Sequence, residues 1–255
     1  MPGGGYQPKL PGMEPAPAED LLGQLAQRFA MLADGQVSPL RRAGAGARQW
    51  RSPQPGRSGC DPEALRYAAS TDPEVAGHVE DLRTDGATVV MTLTPLAVVA
   101  GIRLVTGLGT PSGTNASAPL RPLAPGRLTL EDPAFVIQLA YSRALRDSMG
   151  QRWEESDGIP GGALDDPGPA ADLVVALLEA PRRLAAHGFS REGATSALGA
   201  VAAAYLSWEA TLPPRLPAPV DPTQPVLPAR LLASATARVL ERGMSGVGIQ
   251  ARERI

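Results

Sequence analysis

The sequence is poor in several residue types on which common protein classes depend. Its 255 residues include one cysteine, one lysine, two histidines and only 4% aromatic residues. A single cysteine excludes an intramolecular disulfide framework, which suits a reducing cytosol. Lys9 lies between Pro8 and Leu10, so the chain has no Gly-Lys-Ser/Thr phosphate-binding loop. Long apolar runs are also missing, so we expect no membrane span.

Glycine, proline and arginine are abundant instead. The 28 glycines and 27 prolines make up more than a fifth of the chain. The 23 arginines and the single lysine face 26 acidic residues, for a net charge of −2. This balance excludes a strongly basic, whole-protein nucleic-acid binder. Residues 228–255 are an exception, because five arginines and two glutamates give them a local charge of +3. No signal peptide is visible, and we expect a cytoplasmic protein.

The first 60 residues are interpreted as a mostly disordered leader with one short helix. Residues 1–18 are rich in glycine and proline, and residues 19–33 carry leucines at the spacing of an amphipathic helix. Residues 34–60 have the composition of a solvated linker. The alternative for this stretch is non-specific RNA binding through phosphate contacts and stacking. Its arginines and tryptophan are Arg41, Arg42, Arg48, Trp50, Arg51 and Arg57.

Residues 61–110 are predicted to form a small ordered segment. Residues 87–93 are rich in valine and threonine and predict a strand. Thr94 and Pro95 fit the cap and first position of a helix that extends to Val105. A Gly/Pro/Ser-rich linker, 111–128, follows.

The second half of the chain, 129–255, is predicted to be helical. Apolar spacing and caps predict helices over 132–149, 172–186 and 190–212, and a last helix from Pro228 to a C-cap at Gly243. Connections of this length favour an antiparallel bundle. The acidic loop over 151–169 and the Pro-rich loop over 213–227 are expected to be exposed connections.

The last 28 residues read PARLLASATARVLERGMSGVGIQARERI. They resemble the end of the DALR anticodon-binding domain of arginyl-tRNA synthetases, where a helix of R-L-x-L-x-x-A-x-x-x-L type leads into G-L-x-L-L-G-I-x-x-x-E-R-M. The residues that follow this order are Arg230, Leu231, Ala233, Ala235 or Ala237, Leu240, Gly243, Met244, Gly248, Ile249, Glu253 and Arg254, with Ile255 in place of the usual methionine.

The similarity extends over 129–255. DPAFVIQLAYSRALR, residues 132–146, resembles the family's N-P-x-Y-Y-V-Q-Y-A-H-A-R, with Leu139 and Tyr141 replacing its tyrosine and histidine. LLEAPRRLAAHG and AYLSWEATLPP resemble the second and third helices. The strand and helix within 61–110 weakly resemble the close of the family's N-terminal appended domain. The resemblance implies a mainly α fold, in which a DALR-like antiparallel helical bundle follows a small α+β segment and disordered linkers.

The resemblance does not extend to catalysis. Arginyl-tRNA synthetases use an H-x-G-H signature and a K-M-S-K-like loop to hold ATP. Here His78 and His187 are far apart and Lys9 is the only lysine, so neither motif exists. The resemblance therefore implies binding of a tRNA anticodon stem-loop without aminoacylation and without a cofactor. The alternative is a protein-interaction subunit that docks on a synthetase or another partner through the leucine face of residues 19–33.

The resemblance and the charge pattern together suggest a set of RNA-binding residues. Tyr205 and Trp208 have the chemistry to stack on unpaired bases, but their helical spacing favours the core. The arginines of the last helix would contact phosphates or form a solvated face. The full set is Arg143, Tyr205, Trp208, Arg230, Arg238, Arg242, Arg252, Arg254 and Ile255.

No catalytic or metal-binding set is predicted. Cys60 has no nearby base in the sequence, and the two histidines are isolated. The acidic residues Glu154, Glu155, Asp157, Asp165 and Asp166 are interpreted as part of a solvent-exposed loop.

Overall fold

The computed structural model describes residues 20–107, 129–150, 158–186, 190–212 and 226–251. Over these ranges the chain is mainly helical, as the sequence predicted, and it also contains a small antiparallel sheet. The helices are α1 (Leu21–Leu32), α2 (Gln54–Ser58), α3 (Pro62–Thr71), α4 (Pro73–Ala76), α5 (Pro95–Gly107), α6 (Pro133–Ser148), α7 (Pro169–Ala186), α8 (Arg191–Thr211) and α9 (Ala229–Val247). The strands are β1 (Arg41–Arg42), β2 (Gln49–Ser52), β3 (Val79–Asp85), β4 (Thr88–Leu93), β5 (Gly158–Pro160) and β6 (Val226–Pro228), and a 3-10 helix covers Gly161–Leu164.

A four-stranded antiparallel sheet of order β1-β2-β4-β3 forms in the first half of the chain. The two residues that connect β3 and β4 begin with Gly86, whose φ of 56° is unfavourable for other residues. Trp50 and Met91 are paired across β2 and β4 and are fully buried on one face of the sheet. Because side chains alternate along a strand, Arg51 and Thr92 lie on the opposite, more exposed face.

The linker interpretation of residues 34–60 is wrong. Strands β1 and β2 and the short helix α2 occupy this stretch. Leu40, Ala47 and Trp50 are buried and supply the apolar contacts that its composition seemed to lack. Gly46 packs so closely that a Cβ there would lie 2.4 Å from the carbonyl oxygen of Asp165. Three buried apolar side chains and the closely packed Gly46 therefore hold in place a segment that is otherwise rich in polar and turn-forming residues.

Helix α1 is an internal element rather than an exposed docking helix. Its leucine face, predicted from the spacing, points into the core, where Leu21, Leu22, Leu25 and Phe29 are all buried. The helix packs against α3, α5 and α7. The apolar surface that motivated the protein-docking alternative is therefore already covered by the chain itself.

The predicted strand and helix of the 61–110 segment are confirmed. Strand β4 covers 88–93, and α5 begins at Pro95 and ends at Gly107. The hydroxyl of Thr94 accepts a hydrogen bond from the amide of Ala97 at 3.0 Å, which is the expected N-cap geometry. Helix α5 also packs against α7 and α9, so the apolar core continues from this segment into the second half of the chain.

The four helices predicted in the second half are present as α6 to α9. Asp132 and Ser190 accept amide hydrogen bonds at the starts of α6 and α8, as expected for N-caps. Helix α9 does not end at Gly243; it continues to Val247, and Gly248 is the C-cap at a φ of 74°. Gly243 is buried inside the helix, where its lack of a side chain lets α9 approach Leu198 of α8. Close packing between α8 and α9 therefore explains the glycine at position 243, and a glycine alone does not mark the end of a helix.

The loops between these helices are partly structured. Residues 158–160 and 226–228 pair as the antiparallel strands β5 and β6, where exposed loops were expected. Asp165 does not belong to a free acidic loop, because its carboxylate forms a 2.8 Å ion pair with Arg48. The Arg48 side chain is 7% exposed, also pairs with Glu80, and donates to the carbonyl of Leu93 at 2.7 Å. This one arginine joins the sheet to the helical half.

Within the described ranges, no helix combines the length and the apolar character needed to cross a membrane.

Candidate nucleic-acid interface

Helix α9 has one buried face and one exposed face. Leu232, Val239 and Met244 are among the residues that fix its inner face in the core. Arg238 and Glu241 are exposed on the outer face, where their side chains form a 3.2 Å ion pair. Both side chains are about half accessible to solvent, at 62% and 49%, so this pair adds little stability and is easily exchanged for another ligand.

Arg242 lies on the same outer half of α9, one turn after Arg238, and is half-buried. With Arg230, Arg238, Arg242 and Glu241, the helix carries three positive charges and one negative charge. All four residues are at intermediate or exposed positions. The outer half of α9 is therefore a small basic surface.

Arg230 extends this basic surface to the end of α6. Its guanidinium donates to the carbonyl oxygen of Ser148 at 3.4 Å, in the last turn of α6. It also lies against Gly150, where a Cβ would be 3.2 Å from the guanidinium carbon. A cation at a helix C-terminus is favourable because the carbonyl groups there carry partial negative charge. Arg230 thus has a structural role, and it places a positive charge where α6 and α9 meet.

Arg143 belongs to an ion pair between helices. Its guanidinium donates to Glu209 of α8 at 2.7 Å, and the glutamate side chain is only 9% exposed. The arginine side chain is 43% exposed and covers the buried carboxylate. The bond to Glu209 leaves some of the five guanidinium N–H donors of Arg143 unused, but the main role of this arginine is to neutralise the glutamate.

The hypothesis that Tyr205 and Trp208 stack on RNA bases is wrong for this structure. Their exposures are 0% and 1%, in the core that their spacing already favoured. The rings pack at a tilt, with centroids 5.8 Å apart. The Tyr205 hydroxyl donates to buried Asp147 at 2.6 Å. Neither ring presents a face to a base, because both are used to pack α8 against its neighbours.

The three terminal candidates, Arg252, Arg254 and Ile255, lie outside the described residues. The segment just before them is attached to α6, since the Gln138 amide donates to the carbonyl oxygen of Gln250 at 2.9 Å. The Gln138 side chain is buried. The chain therefore leaves α9 next to the beginning of α6.

Sequence reasoning missed Arg146 as a candidate for this surface. It is exposed in the last turn of α6, two residues before the Ser148 carbonyl that Arg230 contacts. Its position, three residues after Arg143, was a usable signal because residues three apart are neighbours on a helix surface. Arg146 is therefore a further exposed cation in the last turn of α6, the turn whose Ser148 carbonyl Arg230 contacts.

The remaining predicted chemistry can be placed only in part. Cys60 is half-buried beside the core, and Asp166 is exposed next to the Asp165–Arg48 pair. Glu154, Glu155, Asp157 and His187 lie outside the described residues. Among the residues that the structure describes, no group of three or more metal-ligating side chains comes together.

The fold and site therefore define a mainly helical protein with a basic surface on its last helix. No family model, curated protein or solved structure matches this chain.

Proposed function

We propose that this protein is a cytoplasmic RNA-binding module that recognises the anticodon stem-loop of a tRNA through α9 and the segment after it, without aminoacylating the tRNA. The observation that carries the proposal is the two-sided character of α9. Its apolar half is buried and its outer half holds Arg230, Arg238 and Arg242, within the segment that resembles the end of a DALR domain.

The arginines of α9 suit phosphate recognition better than base recognition. Arginine side chains at exposed helix positions contact phosphates and position an RNA, whereas sequence is read at base edges. Tyr205 and Trp208, the aromatic candidates for reading bases, are buried. We therefore propose that α9 supplies affinity and orientation, and that selectivity for a stem-loop comes from its shape and from the segment beyond Ala251.

The absence of H-x-G-H and K-M-S-K motifs from the sequence supports the proposal that this chain does not aminoacylate the tRNA. Without the histidines and lysine that hold ATP in the family, the chain has no site of that type for activating an amino acid. We expect no transfer of arginine to tRNA when the purified protein is supplied with ATP, arginine and bulk tRNA. Charging of tRNA by this chain alone would contradict this half of the proposal.

The proposed tRNA binding is tested by fluorescence anisotropy with a labelled tRNA anticodon stem-loop over a salt series. In the test variant, Arg238→Gln and Arg242→Gln remove two charges from the outer half of α9. We expect binding to weaken by roughly tenfold or more at low salt, and the slope of log K against log salt to fall by roughly 0.9 per lost phosphate contact.

The matched control removes two exposed arginines elsewhere, through Arg57→Gln and Arg103→Gln on α2 and α5. It makes the same change in net charge and should keep most of the affinity. Far-UV circular dichroism checks that both variants remain folded. Equal losses in the two variants would mean that only net charge matters, and no binding by the native protein at low salt would refute the RNA-binding proposal.

A further inference from the structure

The exposed face of the four-stranded sheet carries a row of arginines. The strand register pairs Arg41 with Arg51, Arg51 with Val90, and Val90 with Arg83. Residues paired directly across antiparallel strands lie on the same face, so these four residues form one row across β1, β2, β4 and β3. Three of the four positions in this arginine row are cationic, although they come from segments up to 42 residues apart in the sequence.

The row is on the solvent side of the sheet. Trp50 and Met91, which alternate with row residues along β2 and β4, are fully buried on the core side. Arg41 and Arg83 are exposed and Arg51 is half-buried. Val90 is only 2% exposed, although it lies on this outer face between two arginines. In the strand register Val90 therefore has a cationic residue on either side, Arg51 on β2 and Arg83 on β3.

The guanidinium groups of Arg41 and Arg83 are available for a ligand. Within the part of the chain that the structure describes, the side chains of Arg41 and Arg83 make neither a hydrogen bond nor an ion pair. Arg51 is less accessible, because its Nε is buried without a partner among the described residues and its guanidinium donates to the Ala43 carbonyl at a long 3.4 Å.

Two other arginines of the same segment behave differently. Arg42 pairs with Asp172 at 3.0 Å, and Arg48 pairs with Glu80 and Asp165. Their charges are neutralised where the sheet meets the helical half. Among the described residues, the arginines of the row have no acidic partner. The arginines of this sheet therefore fall into two groups, one that is ion-paired and one that is not.

The neighbouring acidic residues limit which ligand fits. Asp81 and Asp85 lie on the same face of β3, two residues on either side of Arg83. Within the described residues, neither carboxylate forms an ion pair with Arg83. Asp81 is also in the row Gln49–Thr92–Asp81, next to the arginine row. A ligand on this face thus meets a cationic row beside a row of polar hydrogen-bonding groups.

We infer that this sheet face binds a single RNA strand, with its phosphates on the arginine row and its ribose hydroxyls or base edges on the Gln49–Thr92–Asp81 row. Adjacent strands are about 4.8 Å apart, so Arg41 and Arg83 are separated by roughly 14 Å at the backbone. One phosphate cannot bridge that span, whereas successive phosphates of a strand can. The hydroxyl and amide donors of RNA also suit a carboxylate such as Asp81. This surface is separate from α9, and the inference does not depend on the function proposed for that helix.

The test uses the full chain and a labelled single-stranded RNA dodecamer of mixed sequence, measured by fluorescence anisotropy at two salt concentrations. Replacing Arg41 and Arg83 by glutamine changes only exposed side chains, so the fold should be retained. We expect roughly tenfold weaker binding and a salt slope reduced by roughly 0.7 for each lost phosphate contact. Asp85→Asn removes a negative charge beside Arg83, so it should strengthen binding of the RNA dodecamer.

Two controls separate this surface from α9. The variant with Arg238→Gln and Arg242→Gln should keep dodecamer binding, and inorganic phosphate at millimolar concentration should compete poorly with the RNA. Unchanged dodecamer affinity in the Arg41/Arg83 variant would overturn the inference while leaving the α9 proposal standing. Loss of stem-loop binding in the α9 variant with normal dodecamer binding would support two independent surfaces.

Discussion

The interior glycine of α9 offers the sharpest test of the packing described above. Gly243 is buried in α9, and a Cβ at this position would lie 2.2 Å from a terminal methyl carbon of Leu198 and 2.9 Å from its Cγ. Leu198 is itself fully buried, so it has little room to move away. Replacing Gly243 by alanine therefore forces one extra carbon into a filled space between α8 and α9.

Two opposing effects determine the expected magnitude. Alanine is favoured over glycine inside a helix by roughly 0.5–1 kcal/mol. Overpacking a well-filled core costs roughly 1–3 kcal/mol. Since the clash involves a fully buried neighbour, we expect Gly243→Ala to lower the free energy of unfolding by about 1–2 kcal/mol. For a chain of this size, that corresponds to a fall in Tm of roughly 2–8 °C.

Gly199 of α8 is the matched control, because a Cβ there meets nothing within 4 Å. Gly199→Ala should raise the free energy of unfolding by roughly 0.5–1 kcal/mol through helix propensity alone. Urea unfolding followed by circular dichroism measures both variants. In a Leu198→Ala background the penalty of Gly243→Ala should disappear, because the space is then open. A Gly243→Ala protein that is as stable as the Gly199→Ala protein would refute the reasoning.

Two further predictions concern charged groups. Arg48→Met should lower the free energy of unfolding by roughly 2–4 kcal/mol, because it leaves the Leu93 carbonyl without its buried donor and removes two ion pairs. The control Arg66→Met breaks the exposed 2.7 Å pair with Glu63 and should lower it by less than about 1 kcal/mol. Equal effects of the two substitutions would contradict the buried role of Arg48. The hydrogen bond from Arg28, with further help from backbone amides, holds the pKa of Asp72 below its ordinary value. The ionised carboxylate therefore stabilises the fold above a pH of about 4, and this contribution is lost as the pH falls towards the pKa of Asp72 in the folded state. Asp72→Asn should therefore narrow the difference in urea midpoint between pH 6 and pH 3, and an unchanged difference would count against this assignment.

Much of the helical architecture could be predicted from local patterns. The Asp132–Pro133 and Thr94–Pro95 pairs marked true helix starts, because a side-chain oxygen and a proline at the next position satisfy the local requirements of a helix N-terminus. The apolar spacing of residues 19–33 correctly predicted an amphipathic helix, and the structure shows that its leucine face is buried in the core. The resemblance to a DALR domain and the binding of tRNA remain proposals.

The candidate site was less predictable. Helical spacing indicated that Tyr205 and Trp208 share an apolar face, and the structure adds the buried hydroxyl bond to Asp147 that holds Tyr205 inside. Nothing in the sequence near Arg143 indicated Glu209, which is 66 residues away. Ion-pair partners depend on which helices meet, so the availability of an arginine for a ligand is not a local property.

The sequence by itself determined helices α1 and α5 to α9, the N-caps of α5, α6 and α8 and the basic character of α9, because these depend on residues within a few positions of one another. Only the tertiary structure decided which arginines of the described residues are neutralised by a carboxylate and which are not. Arg48 became a buried link when the sheet met the loop before α7, whereas Arg41, Arg51 and Arg83 became one row through strand pairing. Gly243, which locally suggests a helix end, became a packing site because Leu198 of another helix occupies the space beside it. Long-range contacts of this kind carry no signal in a single sequence, since their partners are fixed only when the chain folds.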